Sequence, residues 1–190
     1  MASIPFLVND ADLTAALDAA RAGDERGMTS LFRLLQPPLL RYLRHHAPTV
    51  AEDLASETWL AFSQVVSRFE GDGADARAWM FSVARRRVAD HWRAHHRRPK
   101  LVGVGEAPTP LVPDVADAVV AELSTQSAVE ALVRDLPEDQ AEVVLLRLVA
   151  GLTADEVGAI LHKSPTAVRV AQHRALRRLA KTWGRTTVTP

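Results

Sequence analysis

The chain has 190 residues, with 23 Lys or Arg against 23 Asp or Glu, 47% hydrophobic residues and no cysteine. This is a globular composition long enough for one domain or two small ones, and it excludes disulfides, cysteine-ligated zinc and a thiol nucleophile. The opening "MASIPFLVNDADL" has no basic start or long apolar core, and the most apolar run, Val143 to Leu152, is broken by Arg147, so neither a signal peptide nor membrane insertion is expected and the reading is cytoplasmic.

Overall neutrality hides four charge blocks. Residues 1–84 hold seven basic and eleven acidic side chains (net −4), 85–100 seven and one (+6), 101–146 one and nine (−8), and 147–190 eight and two (+6). Two basic segments separated by an acidic one suit two surfaces for a polyanion, joined by a stretch that is not one.

In chain order, apolar residues recur at three- and four-residue spacing and no segment alternates as a strand does, which predicts an all-α protein. Leu13, Leu17 and Ala20 mark a first helix. Leu31, Leu34 and Leu35 begin a second, which Pro37 and Pro38 should interrupt or kink. A third runs from about Val50 to Phe69, and "EGDGAD" (Glu70 to Asp75) reads as a loop. A long fourth helix runs from Ala78 to about Arg98 and stops at Pro99. "PKLVGVGEAPTPLVP", with four prolines and two glycines, reads as a flexible linker, and a second helical block follows from about Asp114 to Trp183. The expected organisation is two small helical domains, 10–98 and 127–183, joined by a linker over 99–126.

Within the second block, Thr153 and Glu156 form a capping box that starts a short helix ending near His162. Ser164 caps the next helix, with Pro165 at its first position and Val168, Ala171, Ala175 and Leu179 facing inward. This is a helix-turn-helix. Its outer face carries Thr166, Arg169, Val170, His173, Arg174 and Arg177, suited to base edges near the helix start and phosphates further along. The bland alternative is a solvated basic face.

The first basic segment, "ARRRVADHWRAHHRRPK", puts Met80, Ala84, Val88 and Trp92 at steps of four toward the core and Arg86, Asp90, Arg93 and Arg97 on another stripe, outward. Trp79 and Phe69 flank the 70–75 loop, which brings aromatic faces and arginines together as unpaired bases require. His91 and His95 have metal-pair spacing, but no third ligand completes a site, and adjacent His45 and His46 receive no role. No phosphate loop, nucleophile elbow or carboxylate pair with a matching base is present, so neither an enzyme nor a small-molecule substrate or cofactor is expected.

Three stretches, "AEDLASETWLAF" (Ala51 to Phe62), "RFEGDGADARAWMFSVARRRVADHWR" (Arg68 to Arg93) and "LPEDQAEVVLLRLVAGLTADEVGAILHKSPTAVRVAQHRALRRL" (Leu136 to Leu179), together resemble the bacterial sigma factors of the extracytoplasmic-function group. The resemblance implies RNA polymerase core enzyme and promoter DNA as partners, with an anti-sigma factor as regulator. It implies that Asp53, Glu57 and Trp59 face the polymerase. Phe69, Gly71, Asp72 and the rest of the 71–75 loop would surround a flipped minus-ten base, with Trp79, Arg86, Asp90, Arg93 and Arg97 along the opened strand. Ser164, Thr166, Arg169, Val170, His173, Arg174 and Arg177 would read the minus-thirty-five element. It also implies weak DNA binding by the free chain, with its basic faces partly masked. Ser56, His162 and Val170 depart from the group's usual residues, and Val170 points to apolar contact with a thymine methyl. The alternatives are a stand-alone helix-turn-helix regulator that binds duplex DNA as a dimer, and an interaction protein that only sequesters a partner.

Overall fold

The computed structural model describes residues 8–97 and 126–186, with side chains up to His96 in the first stretch and Lys181 in the second. The expected linker therefore lies outside the described residues except at Gln126, and the second helical block is described only from there.

Among the described residues, eight α-helices follow in order: α1 (Asp10–Arg21), α2 (Glu25–His46), α3 (Ala51–Ser63), α4 (Gly73–Arg97), α5 (126–133), α6 (Glu138–Val144), α7 (Ala154–Leu161) and α8 (Pro165–Thr186). Short 3-10 turns at Pro48–Val50 and Val66–Arg68 join the first four, and α6 continues into a π-helical stretch, Leu145–Val149. All regular structure among the described residues is helical, as the apolar spacing predicts.

The first unit is a four-helix arrangement in which α1 packs on α2 and α4, and α3 on α2 and α4. Leu13, Leu17, Leu31, Leu35, Leu39, Tyr42, Phe62, Met80 and Phe81 are fully buried at its centre, each stabilising it by about 1.5–3 kcal/mol relative to exposure. Helix α2 differs from expectation: it starts six residues before Leu31 and runs unbroken through Pro37 and Pro38. Each proline removes a backbone donor at a cost of about 3 kcal/mol. Burial of Leu31 and Leu35 before them and Leu39, Tyr42 and Leu43 after them outweighs that cost. The third predicted helix ends at Ser63, well short of Phe69.

Helix α4 starts at Gly73, not Ala78, because Asp72 caps it: its Oδ1 accepts from the Ala74 and Asp75 amides at 2.8 and 3.0 Å. Along α4, Met80, Ala84 and Val88 are buried as expected, but Trp92 is 41% exposed. The core assignment of Trp92 is not met: the end of α4 reaches the last residues of α2, where the indole N–H donates to the His46 carbonyl at 3.1 Å at the exposed end of the unit.

In the second unit α8 packs on α6 and α7, and its Val168, Ala175 and Leu179 are buried, as are Val143 and Val144 of α6 and Val157 of α7. Arg147, the residue that breaks the apolar run, donates from Nε to Gln172 of α8 at 3.0 Å and from Nη1 to the Leu152 carbonyl, which ties the π-helical stretch to α8 and to the loop before α7. The two units touch where α2 meets the π-helical stretch and α4 meets α7.

Candidate nucleic-acid interface

The helix-turn-helix is built as its residues dictate. The Thr153 and Glu156 side chains each bond the other's backbone amide, starting α7. His162 ends α7 in the left-handed region at φ 54°, a conformation His tolerates better than branched residues do. Ser164 Oγ accepts from the Ala167 amide at 3.2 Å and starts α8. With Val168 and Ala175 fixed inward, Thr166, Arg169, Val170, His173, Arg174 and Arg177 are all exposed along one side of α8. Arg174 and Arg177 continue with Arg178 and Lys181 along a groove beside Gln140 of α6. Arg169 meets Asp155 in the first turn of α7 at 3.4 Å.

The second surface centres on residues 69–72. Phe69 is half-buried, its ring 5.8 Å from Phe62 and 6.3 Å from Trp79, edge to face with the latter. Gly71 takes φ 118°, and a Cβ there would lie 2.6 Å from Asp75 Oδ2. The Asp72 carboxylate is engaged by the α4 amides, and Asp75 Oδ2 accepts from the Asp72 amide at 2.9 Å. Trp79, Arg86 and Arg93 follow at seven-residue steps on one face of α4, a stripe about 21 Å long. Arg86, Asp90 and Arg93 are exposed. The Asp90 carboxyl is held below its usual range first by a hydrogen bond from Arg93, then by the charges of Arg93, Arg86 and Arg87. The Arg97 side chain lies outside the described residues.

A third surface is apolar. Phe32 of α2 and Leu60 of α3 are 46% and 61% exposed, and with Met28, Ser56, Trp59 and Ser63 they line a shallow groove. Trp59 is pinned there, its indole N–H donating to Gln36 Oε1 at 2.6 Å and its ring 5.1 Å from Phe32. Asp53 is exposed, while Glu57 is ion-paired with Arg87 of α4.

Sequence reasoning missed Phe32, Leu60 and Arg21. The first two carry a readable signal: Phe32 directly follows buried Leu31, and Leu60 is a large apolar residue on the face of α3 opposite buried Thr58 and Phe62. Arg21 bonds two carbonyls of the 69–72 loop, a contact between residues 48 and 50 apart in sequence that no local pattern encodes.

The described residues contain no group of three metal-ligating side chains and no helix long and apolar enough to cross a membrane.

Comparison with known proteins matches residues 31–98 to sigma-70 region 2 and residues 126–179 to sigma-70 region 4. The chain is 38% identical over 175 residues to the ECF RNA polymerase sigma factor ShbA of Streptomyces griseus, covering 87% of this chain and 92% of the relative. It is 33% identical over 179 residues to the ECF RNA polymerase sigma factor SigD of Mycobacterium tuberculosis, covering 88% and 82%. The solved structure of CnrH in complex with the cytosolic domain of CnrY shares the fold, at TM-score 0.57 and 22% identity over 92% of this chain and 98% of that one. Matches spanning both helical units do not favour a stand-alone dimeric regulator, and the chain belongs to the extracytoplasmic-function RNA polymerase sigma factors.

Proposed function

We propose that the three surfaces divide the work of a sigma factor. As a member of its family the chain directs bacterial RNA polymerase core to promoter DNA. On our reading, the α8 face reads the minus-thirty-five element, the 69–72 loop with the Trp79, Arg86 and Arg93 stripe takes the opened minus-ten strand, and the groove around Trp59 with Asp53 docks on the polymerase. The observation that carries this is the open face of α8. A doubly capped helix-turn-helix presents Thr166 and Arg169 near the helix start, where base edges are reached, and Arg174 and Arg177 further along, where phosphates lie.

The chain supplies recognition, and the polymerase supplies the chemistry; Arg86→Ala then lowers open-complex formation more than core binding. Val170 would meet a thymine methyl, so Val170→Ser alters preference at one minus-thirty-five position. We place the protein in the cytoplasm with an anti-sigma protein among its partners, on the strength of the family resemblance. Run-off transcription with purified core polymerase on a promoter library tests the function. Promoter-specific transcripts that require the chain support it, and core enzyme that neither binds the chain nor gains specificity overturns it.

A further inference from the structure

Helix α1 lies before the stretch matched to sigma-70 region 2, which begins at residue 31, yet its side chains hold the 69–72 loop in place. Arg21, in the last turn of α1, donates from Nε to the Phe69 carbonyl at 2.9 Å and from Nη2 to the Gly71 carbonyl. Its Nη1 is held at 2.8 Å by Asp18, one turn earlier. A guanidinium suits this task because its rigid fork of donors can hold two carbonyls and still bond a carboxylate, whereas an ammonium acts as a single point.

Two further side chains of α1 act at the other end of the loop. Thr14 Oγ1 accepts from the Gly73 amide at 3.0 Å, and Asp10 pairs at 2.7 Å with Arg77 of α4, whose side chain is only 3% exposed. The helices are so close that a Cβ on Gly73 would lie 2.4 Å from the Thr14 nitrogen. The start of α4 is thus fixed on α1 by packing, and the loop entering it would be free to vary only between Phe69 and Asp72. Arg21 takes the carbonyls within that interval.

We propose that Arg21 is a positioning residue for minus-ten recognition: its guanidinium, tethered by Asp18, clamps the Phe69 and Gly71 carbonyls and presets the loop for an unpaired base. This rests on reading the loop as the minus-ten base site. Without the clamp the two carbonyls turn to water, and the cost of ordering the loop falls on base capture.

The test uses holoenzyme assembled from the full chain and bacterial core polymerase. Promoter fragments with a pre-melted minus-ten region are substituted one base at a time, and core affinity and minus-thirty-five preference are measured alongside. Arg21→Ala should lower preference for the captured base about tenfold, the scale of a lost charge-assisted hydrogen bond. Arg21→Lys, able to reach one carbonyl, should lose less, and Asp18→Ala less again; if Arg21→Ala does not fold, these two carry the test. Core affinity and minus-thirty-five preference should stay at the wild-type level.

A wild-type base preference in the Arg21 variants, with preference lost in Phe69→Ala, overturns the clamp while leaving the loop as the base site. If Phe69→Ala also keeps wild-type preference at every position, the loop is not the base site and the clamp falls with that reading. Equal losses at both promoter elements, together with a lowered unfolding temperature, would mark Arg21 as a general stability residue and overturn the proposal too.

Discussion

Arg85 of α4 and Glu142 of α6 meet at 2.8 Å where the two helical units touch. The same Glu142 carboxylate accepts the hydroxyl of Tyr42, whose pKa is pushed up by burial first and then by the Glu142 charge, with Arg85 opposing. One carboxylate therefore satisfies a buried hydroxyl and a half-exposed guanidinium from the other unit.

Glu142→Ala leaves the Tyr42 hydroxyl without that partner and should cost about 1–3 kcal/mol in urea unfolding. In the double variant with Tyr42→Phe the cost should fall below the sum of the singles, since the group left unpaired has gone. Strictly additive costs would contradict the shared contact.

His46 adds a pH dependence beside this contact. Its Nε2 is buried with no hydrogen-bond partner, and burial, then His45, then Arg85 push its pKa down from 6.5 to about 4. The unfolded chain takes up a proton below its ordinary value while the folded chain resists it. The contribution of neutral His46 is thus complete above about pH 6.5 and is lost as pH falls toward 4, at most about 3 kcal/mol. His45 is lowered by burial against the opposing charges of Glu130 and Glu138. His46→Gln should flatten the fall in stability between pH 7 and pH 4.5 in urea titrations, and an unchanged fall would assign it to other groups.

The exposed Asp155–Arg169 pair contributes little to stability, as surface pairs do. On the proposed reading its effect should appear on DNA, where it would hold Arg169 away from the phosphates and over the bases. Asp155→Ala should leave unfolding within about 1 kcal/mol of wild type and weaken preference at one minus-thirty-five base pair. Non-specific duplex binding should gain one phosphate contact, steepening the log–log salt dependence by about 0.9. Unchanged salt slope and base preference in holoenzyme binding would deny Asp155 that role.

The groove around Trp59 makes a separate prediction. Leu60→Ser removes apolar area that is mostly exposed in the free chain and should lower the unfolding midpoint little, whereas Phe32→Ser also loses its ring contact with Trp59 and should lower it more. Each should weaken core polymerase binding roughly tenfold, the equivalent of covering about 50–60 Å² of apolar surface. Undiminished core affinity in a fluorescence titration would move the docking surface elsewhere.

Much of this was legible in the sequence where local chemistry decides structure. The Thr153 and Glu156 capping box, the left-handed His162 and the Ser164 cap all stand as their residue types require. Sequence reasoning failed where tertiary packing overrides local preference. Buried leucines and Tyr42 carry α2 through two prolines. Asp72 is a different case, a local N-cap signal lying inside what reads as a loop. Trp92 follows the buried stripe of α4 but lies partly open at the helix end, a position its spacing cannot report. The Arg21 clamp joins residues far apart in the chain, and nothing in "AAR" foretells it.

The division of promoter reading between α8 and the 69–72 loop is tested most directly by selecting from a fully randomised promoter library with wild-type, Arg169→Ala and Phe69→Ala holoenzymes and sequencing the templates that initiate. Arg169→Ala should lose sequence information only in the upstream element and Phe69→Ala only in the downstream one. Loss of the same element by both variants, or of neither, would contradict the division.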